Sequence, residues 1–100
     1  MMIPTSIKIG KTRYPVVQPF AMIPPTHAGS VTYGHNIRVA LTMRTGSRLV
    51  VRSDRQRSET FWHEVTHAIL HDMGSKLEAN EQFVTAFSKR LNDAIRSAKF

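Results

Sequence analysis

Hydrophobic and polar positions change their period once along this chain, near residue 52. Before that point, from Ile3 to Val51, β-branched residues are interrupted by Pro and Gly, and no 3.6-residue repeat is sustained. That pattern predicts short strands. Ile7-Lys8-Ile9-Gly10-Lys11-Thr12-Arg13-Tyr14 reads as a strand, a tight turn at Gly10-Lys11 and a return strand continuing through Val16-Val17. Pro15 has no amide proton to give a neighbour, which predicts an edge position for the return strand. Phe20 to Ser30, with Pro24-Pro25 and Gly29, predicts a loop. Val31 to Leu41 predicts a strand pair, or one strand bulged around Gly34-His35-Asn36, and Arg48 to Val51 a further short strand.

Beyond residue 52 the repeat becomes helical, with Phe61, Trp62, Val65, Ala68, Ile69 and Met73 on one face. Ser53 or Asp54 can cap this helix, with Ser58 as a later alternative, and Gly74 supplies its stop. A second helix is expected to begin within Ser75–Asn80 and to carry Val84, Phe87, Leu91, Ala94 or Ile95, and Ala98 on one stripe. Phe61, Trp62, Phe83 and Phe87 are expected to pack the helices together and against the sheet. The expected fold class is α+β, a small, mainly antiparallel sheet followed by two helices. One domain is expected over residues 1–100, with a β-rich half (1–52), a first helix (53–74) and a second (75–98).

Composition narrows the chemistry. With 41% hydrophobic and 21% charged residues the chain is neither a disordered tail nor a low-complexity spacer. It contains no cysteine, which excludes disulfides, thiolate metal sites and cysteine nucleophiles, so any metal must be held by His, Asp or Glu. No apolar run approaches the roughly 18–20 residues that cross a bilayer, so no membrane association is expected. Met1-Met2-Ile3-Pro4 lacks the basic-then-apolar opening of a secretion signal, and the expected location is the cytoplasm.

The net charge of +7 is one-sided. Up to residue 53 there are seven cations (Lys8, Lys11, Arg13, Arg38, Arg44, Arg48, Arg52) and no acid, whereas the remainder is balanced. Such a half attracts polyanions and acidic partners, and a merely solubilising face accounts for the same charge. Without interleaved aromatics, the arginines from Arg38 to Arg57 suit phosphate contact better than base reading.

His63-Glu64-Val65-Thr66-His67, an H-E-x-x-H motif, falls inside the first predicted helix. Residues four apart lie on one face, so both imidazoles can reach one ion. The intervening Glu64 can then take a proton from a water that the ion has acidified. Random order of this composition yields the motif in about one chain in a hundred, so the match carries weight. The alternative is two surface histidines flanking a solvated glutamate. Two imidazoles leave a catalytic zinc short of a third protein ligand. His71 lies about 12 Å along a straight helix from His63 and cannot share its ion; it suits the helix C-terminus. Glu81, near the inward edge of the second helix's apolar stripe, is the favoured ligand and Glu78 the alternative. Tyr33 and His35 are candidate oxyanion donors, alongside their plainer readings as strand aromatic and turn residue. His27 is weaker.

The run from Thr60 to Gly74, followed by Asn80-Glu81-Gln82-Phe83-Val84, resembles small phage and bacterial gluzincin-type metallopeptidases, among them the ImmA/IrrE-like group. The resemblance covers residues 58–95 closely and the strands only loosely. It implies a minimal zincin-like domain with Zn2+ held by His63, His67 and Glu81 and with Glu64 as general base. In peptidases of that architecture a strand edge beside the metal pairs with the extended substrate, and Val31 to Leu41 is the candidate edge here. It also implies a regulatory protease of phage or mobile-element type, working in a bacterial or phage-infected cytoplasm on a protein or peptide substrate. ImmA-type relatives cleave DNA-bound repressors, which would suit a basic surface. The alternative function is a nucleic-acid- or repressor-binding module whose motif is structural or vestigial.

Overall fold

The computed structural model describes residues 3–100; Met1 and Met2, with which the secretion-signal reading begins, lie outside them. Six strands, β1 (Ser6–Ile9), β2 (Thr12–Val17), β3 (Gly29–Thr32), β4 (Asn36–Val39), β5 (Thr42–Thr45) and β6 (Arg48–Val51), precede two helices, α1 (Asp54–Asp72) and α2 (Glu81–Ser97). A 3-10 turn over Lys76–Ala79 joins the helices. The fold class is α+β. Four strands form a sheet in the order β1-β2-β4-β3, and β5 and β6 pair separately. All pairings are antiparallel except β2 with β4.

The hairpin around Gly10-Lys11 and the strand at Arg48–Val51 fall where the pattern predicts them. Val31 to Leu41 is the strand-pair alternative rather than a bulged strand, with β3 and β4 joined through Tyr33-Gly34-His35. Two strand features differ from the reading. Strand β5 was hidden in a polar stretch. And β2 is internal, despite Pro15. The amide of Val16 donates to the Thr5 carbonyl at 2.9 Å, so the Pro15 nitrogen faces the other side. There, pairing with β4 starts only at Val16–Ile37, and no donor is needed at residue 15.

One face of the main sheet is covered. Ile9, Tyr14, Ile37 and Val39 are buried against Phe61, Val65 and Ala68 of α1, and together these form the core. Helix α1 starts in a capping box: the Ser53 hydroxyl accepts from Gln56 N–H while the Gln56 side chain accepts from Ser53 N–H. It ends in a Schellman motif, Ser75 N–H donating to Leu70 O and Gly74 N–H to His71 O. Gly74 adopts φ +68°, the left-handed conformation this ending requires.

That ending turns the chain back, so α2 runs antiparallel to α1. Asp54 pairs with Arg96 and Arg55 with Asp93 at one end, while Glu81 meets His63 and His67 at the other. The buried positions of α2 are Val84, Ser88 and Asn92, one step round from the expected stripe. Phe87 is 48% exposed and stacks on Phe83, outside the core. Polar residues at 88 and 92 occupy the face buried against α1, and Phe87 lies outward of it. Among the described residues no helix is long and apolar enough to cross a membrane.

Arg52, counted with the basic surface in sequence, is buried. Its guanidinium donates to the carbonyls of Ala28, Ala40 and Gln56 and to the Thr60 hydroxyl. It thereby fastens the end of the 18–28 loop to the first turns of α1. Gly29 is required at the same junction: a Cβ there would lie 2.5 Å from the Arg38 carbonyl and 2.6 Å from the Thr60 methyl.

Candidate metal centre

His63 and His67, one turn apart on α1, project together, with ring centroids 5.0 Å apart. Their Nε2 atoms both meet the Glu81 carboxylate, His63 at 3.2 Å from Oε2 and His67 at 2.6 Å from Oε1. One ligand atom from each of the three residues lies within 4.8 Å of the others. Glu81 arrives there because the Asn80 side chain caps α2, accepting from Phe83 N–H, immediately after the 3-10 turn. Two imidazole nitrogens and one carboxylate are the donor set of catalytic zinc sites with three protein ligands. The residues therefore fit the ion.

Orientation of His67 comes from behind. Its Nδ1 lies 2.9 Å from the backbone carbonyl of Glu78. A carbonyl only accepts, so Nδ1 carries the proton and Nε2 is the nitrogen turned toward the cluster. Burial lowers the His63 pKa against the opposing pull of Glu81, which favours the neutral, ligating ring. Glu64 is buried, and desolvation, with a smaller contribution from Glu81 and against the attraction of His67, pushes its carboxyl from 4.5 up to about 7. A carboxyl titrating there can both accept and return a proton near neutrality.

Glu78, the alternative ligand, does not join the cluster. Its side chain accepts from the Tyr33 hydroxyl, and only its backbone faces His67. The Tyr33 hydroxyl is thus committed, and its ring stacks on His71 at 3.8 Å. Burial raises its pKa, as does the bond to Glu78, and keeps the phenol protonated. His35 is exposed and lines a shallow dip with Ser30, Thr32, Asn36 and Arg38 on the outward side of β3 and β4. Neither candidate oxyanion donor stands free beside the three ligand residues.

His27, the weakest of the sequence candidates, shares a cleft with His63 and Glu64. This cleft of about 540 Å³ is lined by His27 and Gly29 on one side, by Glu59, His63 and Glu64 from α1, and by Lys89 from α2. The local signal was a histidine two residues before a glycine that opens a strand; what makes it relevant is the long-range docking of that strand on Thr60. The strand beginning at Gly29 is an edge of the main sheet. No protein-family model, curated protein or solved structure matches this chain.

Proposed function

We propose that this protein is a zinc-dependent peptidase of gluzincin type. The observation that carries the reading is the convergence of two Nε2 atoms and the Glu81 carboxylate beside a buried Glu64, at the wall of an open cleft. His63, His67 and Glu81 would hold the ion, which when bound supplies Lewis acidity to the scissile carbonyl and to water. The free edge of β3 binds the substrate backbone as an added strand, which gives affinity with little sequence selectivity. Glu64 takes a proton from the attacking water as its oxygen bonds to the carbonyl carbon. It delivers that proton to the departing nitrogen as the C–N bond breaks. His27, which lines the same cleft from the loop side, is a side chain able to donate to the carbonyl oxygen.

Metal analysis joined to proteolysis tests this. The purified protein should carry close to one zinc per chain, His63→Ala should lose it, and Glu64→Gln should keep it while losing hydrolysis of an unfolded protein such as casein. Equal trace metal in wild type and His63→Ala would count against the reading.

A second reading has its own observation. The uncovered face of the main sheet carries Lys8, Arg13 and Arg38, all exposed, with Ser30 and Thr32 beside them and no acid in these strands. That face suits a phosphate backbone, so nucleic-acid contact is the alternative or additional activity. Its site is separate from the metal centre, and Glu64→Gln should leave it intact.

A further inference from the structure

The residues that the metal centre leaves unused, Tyr33, Glu78 and His71, form a frame behind it. The 3-10 turn holding Glu78 has four residues, none of them buried, and 3-10 hydrogen bonds are weaker than α-helical ones. Packing alone does not fix its carbonyls. Locally it is tied by the Ser75 hydroxyl, which accepts from Leu77 N–H. Its long-range tie is the bond from the Tyr33 hydroxyl to the Glu78 carboxylate, 45 residues apart in sequence.

Tyr33 is itself well anchored. Its ring lies parallel to His71, 3.8 Å between centroids and 2° between planes, one turn of α1 beyond His67. The next residue, Gly34, donates its N–H to the hydroxyl of Tyr14, a core residue only 4% exposed. A continuous path therefore runs from the core through Tyr14 and the β3–β4 turn to Tyr33, then to Glu78, and from the Glu78 carbonyl to His67 Nδ1.

We infer that Tyr33 is a positioning residue of the metal centre: by tethering the Glu78 side chain it holds the Glu78 carbonyl on His67 Nδ1, and so fixes the ring face presented to an ion. This rests on the proposed metal centre. Partners that orient a ligating histidine typically contribute 10–100-fold in metal affinity.

The test uses the full chain with 15N-labelled histidine. Solvent exchange of the His67 Nδ1 proton is measured without metal, and zinc affinity by competition with a chelator. Tyr33→Phe keeps the stack on His71 and removes only the tether; the Nδ1 proton should exchange about 10-fold faster and zinc bind about 10-fold more weakly. Glu78→Ala should behave alike from the other end, while Glu78→Gln, whose amide oxygen still accepts from the phenol, should behave as wild type. These two variants decide the matter even if Tyr33→Phe fails to fold. Unchanged Nδ1 exchange in Tyr33→Phe and Glu78→Ala, with zinc still bound by wild type, overturns the tether alone. Absence of zinc binding in wild type overturns the metal centre itself.

Discussion

A single carboxyl shows how the site opposes the fold. Glu64 is buried, and its pKa of about 7 means that the folded chain holds a proton the unfolded chain releases near 4.5. The sign follows from proton binding: between those values the native state binds more protons than the unfolded state, so stability falls as pH rises. Over that span the loss approaches about 3 kcal/mol. In chelator-treated protein, Glu64→Gln should match wild type at pH 4.5 or below and exceed it by about that amount at pH 7.5, as read from urea midpoints. A gap of the same size at both pH values would refute the assignment. Arg52 is the opposite case, a buried cation that the fold depends on. Arg52→Lys keeps the charge but not the planar fork, and cannot make all the guanidinium's bonds to the carbonyls of Ala28, Ala40 and Gln56. It should cost about 2 kcal/mol and make the 18–28 loop the first site of limited proteolysis.

Among the elements, α1 is the one whose limits and histidine spacing could be read locally. Each of its signals is local: the capping box joins Ser53 and Gln56, the motif histidines are four residues apart, and Gly74 follows the last turn. The rest depends on contacts made at long range. Pro15 predicted an edge because proline's missing donor is a local fact, whereas the side on which β4 joins is not. Arg52 looked like surface charge because nothing nearby in sequence announces the carbonyls that surround it. Glu81 and Glu78 could not be separated by spacing alone; the 3-10 turn before α2 brings one carboxylate to the histidines and gives the other to Tyr33. The buried stripe of α2 lies one step round from the apolar period: periodicity favours Phe87, whereas the face packed on α1 holds Ser88 and Asn92. Asn92 is fully buried, and neither amide atom has a hydrogen-bond partner. Replacing it with Leu, of similar size, removes two unsatisfied groups and should raise stability by about 1–2 kcal/mol with an unchanged denaturant slope. A less stable Leu variant would show that the interface needs the amide.

Across the molecule, the two faces of the main sheet divide the work. The inward face packs on α1, the helix that carries His63 and His67; the outward face holds charge that folding does not require. Lys8 and Arg13 stand directly opposite each other on β1 and β2, a like-charge pairing that weakens a sheet. Arg38 adds a third cation on β4, and the hydroxyl of Ser6 accepts from Arg13 at 3.0 Å in place of any acid. Repulsion of this kind is relieved when phosphates lie across the face. If the three cations each neutralise one phosphate of duplex DNA, the logarithm of the affinity should fall with the logarithm of salt at a slope of about −3. Changing Lys8, Arg13 and Arg38 together to Ser should bring that slope close to zero. Arg44→Ser with Arg48→Ser, on the separate β5–β6 pair, should leave it as it was. Fluorescence anisotropy on a labelled duplex between 50 and 200 mM salt reads the difference. If the two sets of substitutions flatten the slope equally, the charge acts as a diffuse field of the whole basic half, and the sheet face holds no special place in it.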